Sequence, residues 1–365
     1  MKIVIVYGTR PEILKLIPVI YHMQKTNVIE LTLINAGQHE DMVRKIEEQF
    51  NITPHFRLDT MVKNQSLSEL HVKISQSIEP LLLRIKPDLV LIQGDTATVA
   101  VVGMVCFYNK IPVGHIEAGL RSFNMQEPFP EEFNRRVISL FSTFNFAPTE
   151  LSASHLKSEG IEEDKIFITG NTIVDMINIV KGKLPQNTSN NTKHILITAH
   201  RRENFEEGIM NICKAIKILL DDFPDLRFTW PVHPNPKVKK LVYDQLSNCS
   251  RVTLSGPVDY FELSALINSS YVIWTDSGGI QEECPSYQKP VLILRNVTER
   301  PEVVQRGFGK LIGTDTINIV EQTKLLLSDK SGYQKMTSGS NPFGDGSAAV
   351  KITNAILEKS QKNLR

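Results

Sequence analysis

The sequence predicts an α/β protein built from two doubly wound parallel sheets, and three observations lead to this class. The chain has 365 residues, which exceeds one ordinary domain and fits two domains of roughly 150 to 200 residues. Short apolar runs alternate with segments of helical periodicity, as they do in strand–helix–strand units. This alternation occurs in two series, and the polar, turn-rich segment 183–192 lies between them.

The elements of both series can be placed along the chain. After a first strand at residues 3–7, apolar residues recur at the spacing of a helix: Ile13, Leu16, Ile17, Ile20 and Met23. The other predicted strands are at 31–34, 89–92 and 113–116 in the first series, and at 194–198, 228–230, 252–254, 272–274 and 291–294 in the second. We place one domain at residues 1–172 and the other at 173–347. Residues 348–365 form an amphipathic terminal helix that we expect to pack back on the body.

Composition excludes several classes of function. The net charge is +1 and the Lys and Arg residues are spread along the chain, so no nucleic-acid footprint is expected. The four cysteines have no CxxC spacing, which is typical of a reduced cytoplasmic enzyme. No apolar run is long enough for a signal peptide or a membrane span. Because neither HExxH nor paired Cys/His spacing occurs, we expect no metal. The absence of GxGxxG weakens the case for a dinucleotide, and we expect no cofactor.

The stretch around Ser277, Gly278 and Gly279 predicts an anion site. A buried strand precedes this tight turn and a helix follows it. The N–H groups of the first helical turn, next to two glycines, suit a diphosphate, and Glu283 could accept hydrogen bonds from ribose hydroxyls. An ordinary structural turn explains the motif equally well.

Polar side chains also follow the strands of the first series, where ligands of parallel sheets bind. Arg10 and Lys15 come after the first strand and suit phosphate oxygens, although a surface role is equally plausible for Lys15. Asp95, Glu117 and one of Glu131 and Glu132 can converge. Mutual repulsion would raise the pKa of at least one carboxyl and suit it to general acid work. Helix capping is the alternative for any one of them alone.

In the second series, His200 follows the first strand and could act as acid, base or charge stabiliser. His233 lies in a proline-rich loop that could be purely structural. Arg300 follows the last strong strand, from where it could reach phosphates or the carboxylate of Glu283.

Seven motifs occur in order along the chain: Gly8-Thr9-Arg10-Pro11-Glu12, Gly94-Asp95-Thr96, the run from His115 to Ser122, the run from Pro130 to Arg135, His200-Arg201-Arg202-Glu203-Asn204, Thr275-Asp276-Ser277-Gly278-Gly279 and Thr298-Glu299-Arg300-Pro301-Glu302. Together they resemble the non-hydrolysing UDP-N-acetylglucosamine (UDP-GlcNAc) 2-epimerases of bacteria. The resemblance implies two Rossmann-like domains that face across a cleft, as in GT-B glycosyltransferases, with the last helix crossing back to the first domain. It also implies a cytoplasmic homodimer that interconverts UDP-GlcNAc and UDP-N-acetylmannosamine (UDP-ManNAc) for envelope or capsule polysaccharide.

The same resemblance assigns roles to residues. The implied catalytic groups are Asp95, Glu117, Glu131 and His200, which eliminate UDP to give 2-acetamidoglucal and then add it back. The implied UDP-binding positions are Arg10, Lys15, Arg135, His233, Val258, Leu263, Ser277, Gly278, Gly279, Glu283 and Arg300. Gln38 and Arg201 match a possible allosteric site for a second UDP-GlcNAc.

This chain departs from the family pattern in three places, and proteins with other functions bind UDP in the same way. Glu40 stands where many relatives carry the arginine of Gln-His-Arg, and Lys63-Asn64 lies near a later arginine position, which puts allosteric activation in doubt. Leu263 stands where an aromatic residue is expected beside uracil. The alternatives are a GT-B glycosyltransferase, a hydrolysing epimerase that releases ManNAc and UDP, and a non-catalytic nucleotide-sugar sensor.

Overall fold

The computed structural model describes residues 1–38, 40–62, 65–184, 193–199, 201 and 206–362. The chain divides into two compact units. Met1–Met176 and Phe343–Arg365 form unit 1, and Ile177–Pro342 form unit 2. Each unit contains a parallel sheet with helices around it, so the predicted fold class, with two Rossmann-like units, is confirmed.

Unit 1 contains a sheet of seven strands in the order β3-β2-β1-β4-β5-β6-β7. The strands are β1 (Lys2–Tyr7), β2 (Glu30–Asn35), β3 (Phe56–Arg57), β4 (Leu89–Gln93), β5 (Val113–Ile116), β6 (Phe144–Ala147) and β7 (Ile166–Ile168). The helices before the second sheet are α1 (Arg10–Gln24), α2 (Glu40–Gln49), α3 (Leu67–Ile85), α4 (Ala97–Tyr108), α5 (Glu131–Phe141), α6 (Glu150–Ser158) and α7 (Thr172–Lys181). A 3₁₀ turn occupies Glu163–Lys165.

Unit 2 contains a sheet of six strands in the order β10-β9-β8-β11-β12-β13. The strands are β8 (His194–Thr198), β9 (Arg227–Pro231), β10 (Val252–Ser255), β11 (Val272–Thr275), β12 (Val291–Ile293) and β13 (Gly309–Leu311). The helices are α8 (Glu207–Asp222), α9 (Pro236–Leu246), α10 (Tyr260–Ser269), α11 (Gly278–Glu283), α12 (Pro301–Gln305), α13 (Thr316–Ser328) and α14 (Lys330–Thr337). The 3₁₀ turn Cys284–Tyr287 continues directly from α11.

The strand order locates the binding edge of each sheet. In unit 1, β2 and β3 lie on one side of β1, and β4 and the later strands lie on its other side, so the strand order switches between β1 and β4. In unit 2 the same switch occurs between β8 and β11. Ligands of doubly wound sheets bind beyond the carboxyl ends of the strands at such a switch point. The turns after these four strands therefore occupy the positions where the sequence predicts functional residues.

The last helix, α15 (Ala348–Lys362), belongs to unit 1 and packs on α1. Its Ile352 and Ile356 are fully buried. Asp175 fixes the start of the helix, because its carboxylate accepts hydrogen bonds from the backbone N–H groups of Ala348 (3.2 Å) and Ala349 (2.9 Å). The prediction that the terminal helix crosses back to the first domain is confirmed.

Burial is greatest in the central strands of both sheets, and the edge strands are partly exposed. In β1 the side chains of Ile3, Val4 and Ile5 are fully buried, as expected of a strand with helices on both faces. In unit 2, Trp274 on β11 packs its ring against Phe228 with 5.5 Å between centroids. Within the described part of the chain, no helix combines the length and the apolar character needed to cross a bilayer.

Candidate functional site

In unit 1 the turn Gly94-Asp95-Thr96 is held from several sides. Gly94 has a φ of +85°, a conformation that favours glycine. The Asp95 carboxylate receives two contacts from Arg135 at its Oδ2 atom, 2.8 Å from Nε and 2.6 Å from a terminal guanidinium nitrogen. Asn134, next to Arg135 on α5, donates its side-chain N–H to the Asp95 carbonyl at 2.8 Å. Helix α5 thus fixes both the backbone and the carboxylate of Asp95.

A buried histidine supports the same turn. The Nε2 atom of His115 lies 2.7 Å from the Gly94 carbonyl oxygen, and Nε2 carries the proton because a carbonyl can only accept. Burial lowers the pKa of His115 to about 4, which the hydrogen bond to Gly94 opposes only in part. His115 is therefore neutral at physiological pH and acts as a positional donor. No role was predicted for His115 from the sequence.

Glu117 lies at the carboxyl end of the neighbouring strand β5. Its φ is +69°, a conformation that costs about 1 kcal/mol or more in a residue with a side chain. Three donors converge on its Oε2 atom: Lys15 Nζ in a close ion pair, Gln93 Nε2 at 3.1 Å and Asn171 Nδ2 at 3.2 Å. Because all three donate, they stabilise the ionised carboxylate.

These contacts change the expected balance of charge among the carboxylates. Mutual repulsion was predicted from the sequence, but Asp95 is paired with Arg135 and Glu117 with Lys15. The pairing offsets the repulsion between carboxylates at the ends of adjacent strands. It also means that Lys15 and Arg135, both predicted to bind UDP, already contact the predicted acid/base residues.

The two glutamates at the start of α5 have different surroundings. Glu132 is fully buried, and its carboxylate accepts hydrogen bonds from the backbone N–H groups of Ser122 (2.9 Å) and Phe123 (3.2 Å). It also pairs with Arg136. Glu132 therefore holds the loop before α5, while the half-buried Glu131, one helical turn before Arg135, is the better candidate for chemistry.

In unit 2 the predicted anion site lies at the turn after β11. Ser277 caps the start of α11, and its N–H donates to the Thr275 hydroxyl at 3.0 Å. A Cβ atom added at Gly278 would stand 3.1 Å from the guanidinium of Arg300, whereas the nearest atom to one at Gly279 is 3.9 Å away. Gly278 thus permits the close approach of Arg300, and Gly279 leaves space beside the first N–H groups of the helix.

Carboxylates on two elements fix that arginine. Arg300 Nε donates to Oε1 of the buried Glu282 at 2.8 Å, and a terminal nitrogen of Arg300 lies 3.6 Å from Glu299. Burial raises the pKa of the Glu299 carboxyl, but the positive charges of Arg300 and Arg295 have the larger opposite effect and lower this pKa to about 2. Glu283, predicted to bind ribose, is buried and accepts a hydrogen bond from the Tyr260 hydroxyl at 3.1 Å.

The remaining predicted residues are placed as follows. His233 is half-buried and its Nδ1 accepts the N–H of Asn235 at 3.2 Å. Val258 lines a cavity of about 480 Å³ beside β9, β10 and α10, and Leu263 is half-buried on α10. Half-buried residues elsewhere are Arg10, the first residue of α1, and Gln38, which accepts the Thr98 hydroxyl at 2.7 Å. Arg201 donates its N–H to Asp276 at 2.9 Å.

Some predictions lie outside the described residues, namely those for His200 and for the departures at Lys63 and Asn64. Among the residues that are described, no cluster of three or more His, Cys, Asp or Glu side chains is arranged to hold a metal ion.

Sequence reasoning missed the partners that hold the predicted residues. Gln93 ends β4, so the rule that pointed to Asp95 could have found it. Asn171 follows β7 after Thr169 and Gly170, and that strand was not predicted from the sequence. Asn134 and His115 gave no such signal, because their contacts depend on the packing of α5 and β5.

The chain is similar to known proteins in both sequence and fold. The family model described as UDP-N-acetylglucosamine 2-epimerase matches residues 21–357. The UDP-N-acetylglucosamine 2-epimerase of Neisseria meningitidis serogroup A is 44% identical over 98% of this chain and 100% of its own. That of Campylobacter jejuni is 42% identical over 99% of this chain and 98% of its own. The crystal structure of the Neisseria meningitidis enzyme bound to UDP-GlcNAc has a TM-score of 0.93 at 44% identity, covering 98% of this chain and 100% of that one.

Proposed function

This chain belongs to the UDP-N-acetylglucosamine 2-epimerase family, and we propose that it converts UDP-GlcNAc to UDP-ManNAc and back. The observation that carries the proposal is two ion pairs at the ends of adjacent strands, the buried pair of Lys15 with Glu117 and the pair of buried Arg135 with half-buried Asp95. They supply carboxylates in fixed positions at the carboxyl ends of β4 and β5, beside the switch point of the sheet, where ligands of such sheets bind.

The chemistry of the sugar explains why such groups are needed. C2 of the hexose bears an acetamido group and has no neighbouring carbonyl, so direct exchange of its proton is implausible. We propose that a base removes the C2 proton while the bond from C1 to oxygen breaks and its electron pair leaves with UDP. The resulting 2-acetamidoglucal then takes a proton on the other face of C2 as UDP adds back to C1.

We assign the acid/base steps to Asp95, Glu117 and Glu131 in unit 1, with His200 near the diphosphate. The UDP-binding set stays as the resemblance implies: Arg10, Lys15, Arg135, His233, Val258, Leu263, Ser277, Gly278, Gly279, Glu283 and Arg300. The buried pairing of Arg300 with Glu282 supports its place in this set, because a fixed guanidinium loses little entropy when it binds phosphate. Gln38 and Arg201 are proposed only as a possible allosteric pair.

We further propose that the enzyme is a cytoplasmic homodimer that supplies ManNAc units for envelope or capsule polysaccharide. The apolar surface at the ends of α4 and α5 supports dimerisation. Phe107, Tyr108 and Leu140 expose 55%, 75% and 71% of their surface there, and exposed apolar clusters of this kind mark protein contacts. The four cysteines form no disulfide, which fits a reducing compartment.

Incubation with UDP-GlcNAc alone tests the proposed function. We expect UDP-ManNAc to accumulate to an equilibrium mixture, measured by anion-exchange chromatography with standards of both sugars. Free ManNAc and UDP would instead indicate the hydrolysing epimerase. Turnover only after an acceptor sugar is added would indicate a glycosyltransferase, and binding without turnover a sensor. Each of these three results would overturn the proposal.

A further inference from the structure

The carboxylate of Glu12 contacts two different turns of unit 1. Glu12 is 1% exposed and lies in the first turn of α1. Its Oε2 atom accepts hydrogen bonds from the backbone N–H groups of Gly8 (2.6 Å) and Thr9 (3.2 Å). Its Oε1 atom accepts the hydroxyl of Thr96 at 2.6 Å, across a separation of 84 residues in sequence. One carboxylate therefore joins the turn after β1 to the turn after β4.

Each turn carries a residue of the proposed site. Gly8 and Thr9 directly precede Arg10, a proposed phosphate ligand, and Thr96 directly follows Asp95, a proposed acid/base residue. The carboxylate itself is enclosed at the bases of both turns, so its effect on a reaction would pass through its neighbours. Displacing a reacting group by about 1 Å can cost roughly 100-fold in rate.

We propose that Glu12 is a positioning residue that sets the geometry of the Arg10 turn and the Asp95 turn together. The inference rests on the proposed function and deepens it, because it adds a group that aligns the phosphate-binding and acid/base residues with each other.

A helix cap is the simpler explanation, and the contacts distinguish the two. Thr9 and Glu12 form a capping box at the start of α1, as Ser66 and Glu69 do at the start of α3. In the α3 box, Glu69 contacts Ser66 through its N–H (2.7 Å) and its hydroxyl (3.0 Å) and is solvent-exposed. The hydrogen bond from the Thr96 hydroxyl to Glu12 is additional to the contacts of a capping box, and it is not needed to cap α1.

The protonation of Glu12 provides a second readout. Burial raises the pKa of the Glu12 carboxyl to about 7, although the hydrogen bonds from Thr96, Gly8 and Thr9 act in the opposite direction. Titratable and charged residues on the surrounding elements are Tyr7 at the end of β1, Arg10 and Lys15 on α1, Glu47 on α2, Asp95 before α4 and Glu117 after β5. Several of them form pairs: Tyr7 with Glu47, Lys15 with Glu117 and Asp95 with Arg135.

The directions of the hydrogen bonds to Glu12 show how protonation of its carboxylate changes these contacts. Oε2 faces two backbone N–H groups, so an added proton must reside on Oε1 and point toward the Thr96 hydroxyl oxygen. The ionised carboxylate accepts all three bonds with charge assistance, whereas the protonated form keeps the contact to Thr96 with donor and acceptor exchanged. A glutamine at this position reproduces the protonated arrangement, because its N–H₂ group takes the place of the protonated Oε1.

The experiment compares kcat and KM for UDP-GlcNAc from pH 5.5 to 8.5 in the wild type and four variants. In the wild type we expect kcat to rise through an ionisation near pH 7. Glu12→Gln should lack this ionisation and stay about tenfold below the wild-type maximum. Thr96→Val keeps the capping box of α1 but removes the bond between the turns, together with the hydroxyl that accepts the Val99 N–H at the start of α4, and it should lower kcat about tenfold. Thr96→Ser retains the hydroxyl and should restore kcat. Glu69→Gln should have the kcat of the wild type at every pH.

The stability of the same proteins separates the inference from the proposed function. Folded Glu12 retains a proton between pH 4.5 and about 7 that the unfolded chain has released, so stability falls as pH rises through this window. The urea midpoint of Glu12→Gln should therefore fall less across that range than the wild-type midpoint. If the wild type does not convert UDP-GlcNAc, the proposed function fails while this test of the ionisation still applies. Wild-type kcat with an unchanged pH profile in Glu12→Gln would overturn the inference, as would equal losses in Glu12→Gln and Glu69→Gln.

Discussion

At the scale of single residues, the site of unit 1 consists of charges held in pairs. Arg135 contacts the Asp95 carboxylate, and Lys15, with Gln93 and Asn171, contacts a single oxygen of Glu117. A buried carboxylate that is paired and hydrogen-bonded keeps a fixed position, which a group exchanging protons with carbon requires. We interpret these partners as the supports of the proposed acid/base residues.

Asp95→Asn, Glu117→Gln and Glu131→Gln test this assignment. Each change keeps the shape of the side chain but removes its ability to take up a proton, so kcat should fall about 100-fold or more. UDP should still bind, as measured by calorimetry, because unit 2 supplies most of the proposed UDP ligands. Glu150→Gln, at an exposed position of α6, serves as the control and should keep wild-type turnover. Near-normal rates in two of the three variants would refute the assignment.

The sequence predicted which residues belong to the site better than it predicted which residues contact them. Asp95 and Glu117 follow apolar runs, and the ends of parallel strands are where ligands bind, so position alone pointed to them. Their partners are distant: Lys15 is 102 residues from Glu117, and Asn171 is 54 residues from it. Such pairings depend on how strands order themselves in the sheet, and periodicity along the chain carries no information about that order.

At the scale of elements, the turn after β5 combines two residues with positive φ. Glu117 has a φ of +69° and Gly119 a φ of +88°, so this short segment reverses sharply where the proposed acid/base residue emerges. A Cβ atom at Gly119 would lie 2.2 Å from the Ser152 carbonyl oxygen, which belongs to the backbone of α6. The turn is therefore packed against a helix and has no room to relax.

Gly119→Ala should destabilise the protein and lower its turnover together. The backbone conformation costs an alanine about 1 kcal/mol, and the clash with Ser152 should add roughly 2 kcal/mol or more. Gly160→Ala is a matched control, because Gly160 has a φ of +84° but open space around its Cβ position. Free energies of unfolding in urea should show the larger loss only for Gly119→Ala. Equal losses in the two variants would contradict the packing argument.

Most strands were predicted, including short ones such as β5, β11 and β12, but β3, β6, β7 and β13 were not. The predicted strand at residues 3–7 corresponds to β1, and that at 89–92 to β4. Strand β3 has only two residues, and β6 has the sequence Phe144-Asn145-Phe146-Ala147, in which a buried asparagine interrupts the apolar run. Neighbouring strands stabilise such segments, so their own sequence gives a weak signal.

At the scale of the whole molecule, unit 1 is assembled from both ends of the chain. Helix α15 returns to pack on α1, and Asp175 anchors its first residues. The apolar period of residues 348–365 predicted a helix that packs on the body, but only the resemblance to a known family indicated which domain receives it. Family membership likewise supplied the substrate and the reaction, which no single motif could have identified.

The most direct test of the account is to run the reaction on UDP-GlcNAc in D₂O and follow C2 by proton NMR. In elimination and re-addition of UDP, a group on the protein removes the C2 proton, and the hydrogen that is added back to C2 comes from the solvent. The account therefore predicts UDP-ManNAc carrying deuterium at C2, with label also entering the remaining UDP-GlcNAc. Formation of UDP-ManNAc that retains its original C2 proton would contradict the mechanism, and formation of no UDP-ManNAc would contradict the function itself.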